Sequence, residues 1–395
     1  MFTGYKSLWV VLAVGALTFQ LGKVAADTVY VANEVTDTVS VIDSATNNIT
    51  TTICLGSDPA IPGTPQPAGP CNGETQHHAP FYNGHIGTHG LWLRPDGSVL
   101  LVANRLSGTM VAVDTATNQV LGYTPVGREP HLATVRPGGR EAWVAVRGED
   151  HIDVLELDDA VLFDPNRRRT DRMRVSATIP TTLGPSMVSF TSGGEFAFVA
   201  AGKQTRVDKF DANTRTLVAS APVLAAFTPF GLVSPDDTEL YLIHKNVGGI
   251  GKLTILRTSD LTPVVPTFDI GPCANHIFFV RRLAYITIGG PLPCAPGGDP
   301  AVEPFKEGKI VIVDTRTHQI VHELTGPAFT GDPHGIWATS DGRLLYVGHE
   351  SGNRITAIDL GNRDNPFDDV VLSVVSGSPA NLGFVKQPID VVIKR

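Results

Sequence analysis

Histidine is the residue type in this sequence whose spacing could do chemistry. Of twelve histidines, four stand in the middle of a tripeptide that opens an alternating apolar run: Thr88-His89-Gly90, Pro130-His131-Leu132, Asn275-His276-Ile277 and Pro333-His334-Gly335. His244 and His349 close two other short runs, LYLIH and LYVGH, and His77, His78 and His85 crowd the segment ETQHHAPFYNGHIGTHG. Neutral imidazole is the commonest metal ligand, and several imidazoles held by a rigid frame pre-form a site. Any one of these histidines is more simply read as a structural hydrogen-bonding residue, so the metal reading rests on number and register together.

Imidazole suits copper, zinc, iron and nickel, whereas calcium and magnesium require carboxylates. The expected ligands are His89, His131, His276, His334, His349, His244 and His85. Glu129, Glu350 and Lys245 are the candidate catalytic acid, base and charge-bearing groups, with Glu74, Glu149, Asp332 and Lys203 close in register. The lysines would suit a small anionic substrate. Ordinary loop solvation would also explain each of these charged residues. No Gly-x-Ser-x-Gly, Walker, dinucleotide-binding or EF-hand pattern occurs, which disfavours serine hydrolysis and nucleotide chemistry.

The elements that must position these residues repeat. Aligned with the four histidine tripeptides are Pro185-Ser186-Met187, Pro229-Phe230-Gly231 and Pro388-Ile389-Asp390, making seven first strands. Second strands such as LLVAN, AWVAV, AFVAA and AYITI follow six of them, then third strands such as MVAVD, IVIVD and ITAID. Alternating apolar residues, Ser-Asp-Gly turns and a period of roughly 40 to 45 residues describe blades of a β-propeller. The chain is therefore expected to be all-β, with seven four-stranded blades. TVYVANEVTDTVSVID near the N-terminus lacks a first strand, and QPIDVVIK at the C-terminus is a first strand without followers. Pairing the two completes one blade and closes the ring.

In a propeller the start of each first strand, the end of each second strand and the blade-to-blade connection share one face, here called the upper mouth. The first-strand and second-strand histidines therefore lie together. So do two Pro- and Gly-rich insertions, Gly56–Gly87 and Gly289–Gly308. A third insertion, Asp158–Arg174, follows a third strand and falls on the opposite face, where its Arg167-Arg168-Arg169 run reads as a solvated loop.

The segments YVANEVTDTVSVIDSATNNI and LLVANRLSGTMVAVDTATNQV resemble the YVTN-repeat β-propellers, over nearly all of the chain beyond residue 26. That resemblance implies the fold and says little of activity, because such propellers include lactonases, streptogramin lyases and surface proteins. A ring of histidines at the mouth of a seven-bladed propeller also resembles the copper sites of nitrous oxide reductase and thiocyanate dehydrogenase. It extends to His89, His131, His276, His334 and His349. It implies copper as the first choice of cofactor, ahead of zinc or another transition metal. The cysteine-bearing second copper domain of nitrous oxide reductase has no counterpart here.

Composition and processing signals bound the rest. A formal net charge of -8 argues against a general nucleic-acid binder, whose affinity would come from Lys and Arg. After Lys6, an apolar segment from Leu8 to Leu21 precedes Val24-Ala25-Ala26, which reads as an export signal over residues 1–26, with an uncleaved anchor as the alternative. A periplasmic or secreted propeller domain over 27–395, without a membrane span after cleavage, is expected. Export makes disulfides the natural use of the four cysteines, with Cys54–Cys71 and Cys273–Cys294 as the local pairs. Three functions are consistent with these residues: a copper-dependent small-molecule oxidoreductase, a metal-assisted lyase or lactonase, and a non-catalytic binding or scaffold propeller with a protein partner.

Overall fold

The computed structural model describes residues 26–55, 86–201, 205–223, 230–291, 294, 307–362, 364–376 and 388–395. Its strands form seven four-stranded sheets, and six of these take their strands consecutively from the chain. The innermost strands are Thr88–Leu93, Pro130–Val135, Pro185–Phe190, Phe230–Val233, Ala274–Val280, Pro333–Ala338 and Pro388–Lys394, and each touches the next in a closed circuit. The molecule is a seven-bladed β-propeller. Blades are numbered here from Thr88, with the shared blade as the seventh.

The seventh blade joins the two ends of the chain. Pro388–Lys394 pairs antiparallel with Thr28–Asn33, setting Val391 opposite Val31 and Ile393 opposite Val29. Ile389 takes no part in this ladder. The register steps from Ala32–Asp390 to Asn33–Pro388 and leaves Ile389 as an extra residue. The edges of both terminal strands are thereby covered.

Packing occurs between the faces of neighbouring blades. The residue three before the Asn/His position of each second strand is Tyr30, Leu101, Trp143, Phe198, Tyr241, Tyr285 or Tyr346, all essentially inaccessible. Six of the seven are aromatic, and each such ring contributes about 2–3 kcal/mol of burial. Their polar tips reach partners at the blade margins. Tyr241 donates to Glu239 at 2.9 Å and Tyr285 to Asp369 at 3.1 Å.

The turns from third to fourth strands share one local chemistry. Asp43 accepts from the backbone of Ala45 and Thr46 at 2.9 Å, and Asp114, Asp211 and Asp314 cap their turns in the same way. Each turn then needs one left-handed residue, supplied by Asn47, Asn118, Arg215 and His318 at φ 55° to 59°. His318 thus stands in a turn rather than on the outer strand Gln319–Leu324, and its Nε2 lies 3.0 Å from Glu239.

The insertion at Asp158–Arg174 lies between a third and a fourth strand, on the face opposite the upper mouth. It forms a short helix, Asp159–Leu162, capped by Asp158, and a 3-10 turn at Arg169–Asp171. Arg172 fixes it to the preceding blade by donating to the carbonyl of Leu121 at 3.1 Å. Cys273 and Cys294 form a disulfide with a Cα–Cα distance of 5.1 Å. Cys54 is also disulfide-bonded, and Cys71 lies outside the described residues. So do the N-terminal apolar segment, Glu74, His77, His78, His85 and Lys203. Among the described residues no helix is long and apolar enough to cross a membrane.

Candidate functional site

Each histidine of the first-strand register sits at a defect in its sheet. In the first blade Thr88 faces Asn104 but Leu91 faces Val102, so three steps on one strand match two on the other. The same single-residue bulge recurs at His131, Ser186, His276, His334 and Ile389. A bulged residue is released from the ladder and re-aimed, which is why bulges cluster near functional sites. Entry into these strands is itself sharply bent. Gly87, Glu129, Gly184, Cys273 and Asp332 precede them with φ between 51° and 76°.

The bulges bring the four imidazoles together. The ring centroids of His89 and His131 are 4.8 Å apart, those of His276 and His334 4.5 Å, and His89 to His334 closes the set at 6.5 Å. All four are buried, with exposures of 4–7%. Phe230 takes the same register in the fourth blade, and its ring stacks on His276 at 4.3 Å.

Two of the rings have Nδ1 within hydrogen-bond distance of an oxygen, and a third faces a carboxylate from further off. His131 Nδ1 lies 2.7 Å from the carbonyl of Ser186, His89 Nδ1 is 3.3 Å from Glu34, and His276 Nδ1 is 3.8 Å from Asp390. A proton held on Nδ1, as the Ser186 carbonyl requires of His131, leaves Nε2 as the lone-pair nitrogen. In His276 that Nε2 is buried and has no hydrogen-bond partner. His334 is turned the other way, with Nε2 3.8 Å from Glu350.

Charge surrounds this apolar-walled cluster. Glu34 bridges His89 and Arg105, whose Nη1 is 3.2 Å from the carboxylate and 3.5 Å from His89 Nδ1. Arg147 and Lys245 add positive field to His89. Burial first, then these cations, holds His89 well below the usual imidazole range. Burial, followed by the repulsion that a second protonated ring beside His89 would meet and by Arg147 and Arg105, does the same for His131. His276 is lowered to about 3 by burial and Lys245. His89, His131 and His276 are therefore held neutral, as ligands must be. Two acids are pushed the other way. Glu350 rises to about 7 through burial and the neighbouring Asp332, and Asp390 rises to about 7 through burial alone, against hydrogen bonds from Leu91 and Val391.

The remaining predicted residues divide. Lys245 and Glu350 belong to the cluster and are buried beside it. Glu129 stands at the rim, where its carboxylate is 3.8 Å from Arg147. Glu149 pairs with Arg128 and lies 3.6 Å from His151. Asp332 accepts from the side-chain amide of Asn275 at 2.9 Å. His244 and His349 occupy the place that Asn33 and Asn104 hold in other blades. Asn33 and Asn104 donate to hydroxyls of the third strand, Thr38 and Thr109. His244 Nε2 meets Thr254 at 2.8 Å and His349 Nε2 meets Thr356 at 2.9 Å, while His349 Nδ1 is 3.0 Å from the Thr330 carbonyl. Both rings are spent on a cross-strand link two residues further along the third strand, where Asn33 also reaches Ser40.

Arg105, Arg147, Glu34 and Asp390 were not among the residues picked out from the sequence. Glu34, Arg105, Arg147, Lys245 and Glu350 all directly follow the last residue of a second-strand run. That shared register, one place beyond the Asn/His position, is the signal that could have found them. Among the described residues, no three His, Cys, Asp or Glu groups stand at metal-binding geometry as placed.

No family model and no curated protein matches the chain. Solved structures do. A hydrazine synthase chain from Kuenenia stuttgartiensis is 19% identical, with a TM-score of 0.62, covering 78% of this chain and 96% of that one. A functionally unknown protein from Desulfotomaculum acetoxidans is 11% identical, with a TM-score of 0.63, covering 93% and 99%. A putative 6-phosphogluconolactonase from Bacteroides fragilis is 13% identical, with a TM-score of 0.64, covering 95% and 99%. At these identities the likeness is one of fold.

Proposed function

We propose that this chain is an exported propeller whose upper mouth holds a transition metal, copper first, and acts on a small anionic molecule as an oxidoreductase. The observation that carries the reading is the set of bulge-borne imidazoles, in which Nδ1 of His89 and His131 meets Glu34 and the Ser186 carbonyl and His276 has an orphaned buried Nε2. Carboxylate or carbonyl partners on the far nitrogen are the usual support for a metal-binding imidazole. His89, His131, His276 and His334 would hold the metal, and the rings would have to draw closer to do so. Zinc or another imidazole-binding metal is the second choice.

When bound, copper would supply one-electron chemistry and Lewis acidity. The chain's own residues supply the rest. Arg105, Arg147 and Lys245 provide positive charge for an anion, and Phe230 walls the cluster on one side. Glu350, with a carboxyl near 7 and His334 at 3.8 Å, can hold or release a proton at neutral pH. The same acid and histidine support a metal-assisted lyase or lactonase as the second reading. Export is supported by the apolar N-terminal segment and by the disulfides, which persist outside the cytoplasm.

Elemental analysis and copper titration of the purified chain, of His89→Ala and His334→Ala, and of His322→Ala as an outer-strand control test the proposal. The parent and the control should bind copper, and the two mouth variants should lose stoichiometry or affinity. A copper spectrum insensitive to reductant would move the assignment to the lyase or lactonase. A parent that binds no metal would leave a scaffold propeller.

A further inference from the structure

We infer a second, independent anion site on the face opposite the histidines, fitted to a small phosphate monoester. A pocket of about 530 Å³ opens there between the second and third blades. That volume lies in the range of small-molecule sites. Its walls carry four guanidiniums, Arg136, Arg140, Arg174 and Arg215, against two carboxylates, Glu141 and Glu156. The pocket is net positive. Asp211, which feels the field of Arg136 from outside the lining, does not cancel the excess.

The four arginines are held to different degrees. Arg136 is scaffold: it donates to the Gly194 carbonyl at 2.9 Å, to Glu141 at 3.0 Å, to the Ala212 carbonyl at 3.2 Å and to Asn213. Glu141 also accepts from Arg215 at 2.8 Å and from the indole of Trp143 at 3.2 Å, so it pins Arg215 by one nitrogen and leaves the rest of its fork available. Arg174 is paired with Glu156 through Nε at 2.7 Å and Nη2 at 2.5 Å, on an exposed part of the wall. Arg140 is exposed and makes no side-chain hydrogen bond or ion pair among the described residues. A guanidinium fork matches the oxygens of a phosphate in pairs, and the excess of arginine over carboxylate favours an anion there. The room beyond one phosphate group takes the organic part of the ester.

The test is calorimetric titration of the full chain, at low salt and pH 7.5, with inorganic phosphate and with glycerol 3-phosphate. Saturable binding at one site is expected, tighter for the ester. The double variant Arg140→Ala/Arg174→Ala should weaken it at least tenfold, while Arg343→Ala, an exposed arginine outside the pocket, should leave it unchanged. Equal affinity for both probes, lost in the double variant, would narrow the ligand to free phosphate and overturn the ester assignment. No saturable heat with either probe, or binding undiminished in a double variant of unchanged melting temperature, would overturn the site. A phosphate signal removed by His89→Ala but kept in the double variant would assign the anion to the upper mouth instead.

Discussion

The carboxylate of Asp390 accepts a hydrogen bond from the backbone N–H of Leu91 at 2.8 Å, joining the last strand of the chain to the innermost strand of the first blade. Asp390 also lies 3.8 Å from His276, two blades away in the other direction. Ring closure and the histidine cluster therefore share a residue.

Truncation after Gly383 should for that reason do more than shorten a terminus. It would uncover the edge of Thr28–Asn33 and remove Asp390 from the mouth. Aggregation, or separation of the unfolding transitions followed by two spectroscopic probes, is the expected outcome. A monomeric truncated chain with unchanged melting would contradict closure by the shared blade.

His244 and His349 should be replaceable by Asn with little loss. Asn already serves that register in the seventh and first blades, and Asn33 donates at 2.9 Å to Ser40, the hydroxyl in register with Thr356. His349→Asn should cost no more than about 1.5 kcal/mol, the worth of one hydrogen bond. Its copper stoichiometry should equal the parent's. Loss of metal in this variant with the fold intact would place His349 among the ligands.

Asp369 should make stability fall as pH rises. Burial lifts its carboxyl to about 7, against the hydrogen bond from Tyr285, and its Oδ1 has no partner. Because the folded value lies above the unfolded one, the folded chain binds the extra proton between about pH 4 and 7. The stabilisation is complete below that window and is lost as pH climbs through it. Asp369→Asn should therefore gain on the parent with rising pH, on the order of 1 kcal/mol at pH 8 relative to pH 4 given partial exposure. Denaturant midpoints of both proteins at the two pH values check this, and a pH-independent difference would refute it.

The Cys273–Cys294 disulfide should contribute about 3 kcal/mol, the scale set by its separation of 21 residues. Cys273→Ser/Cys294→Ser should lower the denaturant midpoint without changing the number of blades that unfold together. Peptide mapping of the unreduced parent should find this bridge, together with the partner of Cys54. A Cys54–Cys273 bridge would contradict the local pairing.

The amino-acid sequence by itself determined the seven-fold repeat, the split blade and the common register of His89, His131, His276 and His334. Those are consequences of a period of two along strands and of a longer period along the chain, and both are visible in one dimension. The Asp-led turns before Asn47 and Asn118 were equally local, since each is completed within five residues. Tertiary structure decided what the histidines do. A bulge exists only relative to a paired strand, so the release of His89 from its ladder depends on Asn104 and Val102, and no tripeptide encodes it. Partners were decided in the same way: His131 meets Ser186 and His276 meets Asp390 across blades, whereas His349 spends its Nε2 on Thr356 within its own. Identical side chains in neighbouring registers thus diverge because the acceptor each ring finds is fixed by how the blades pack.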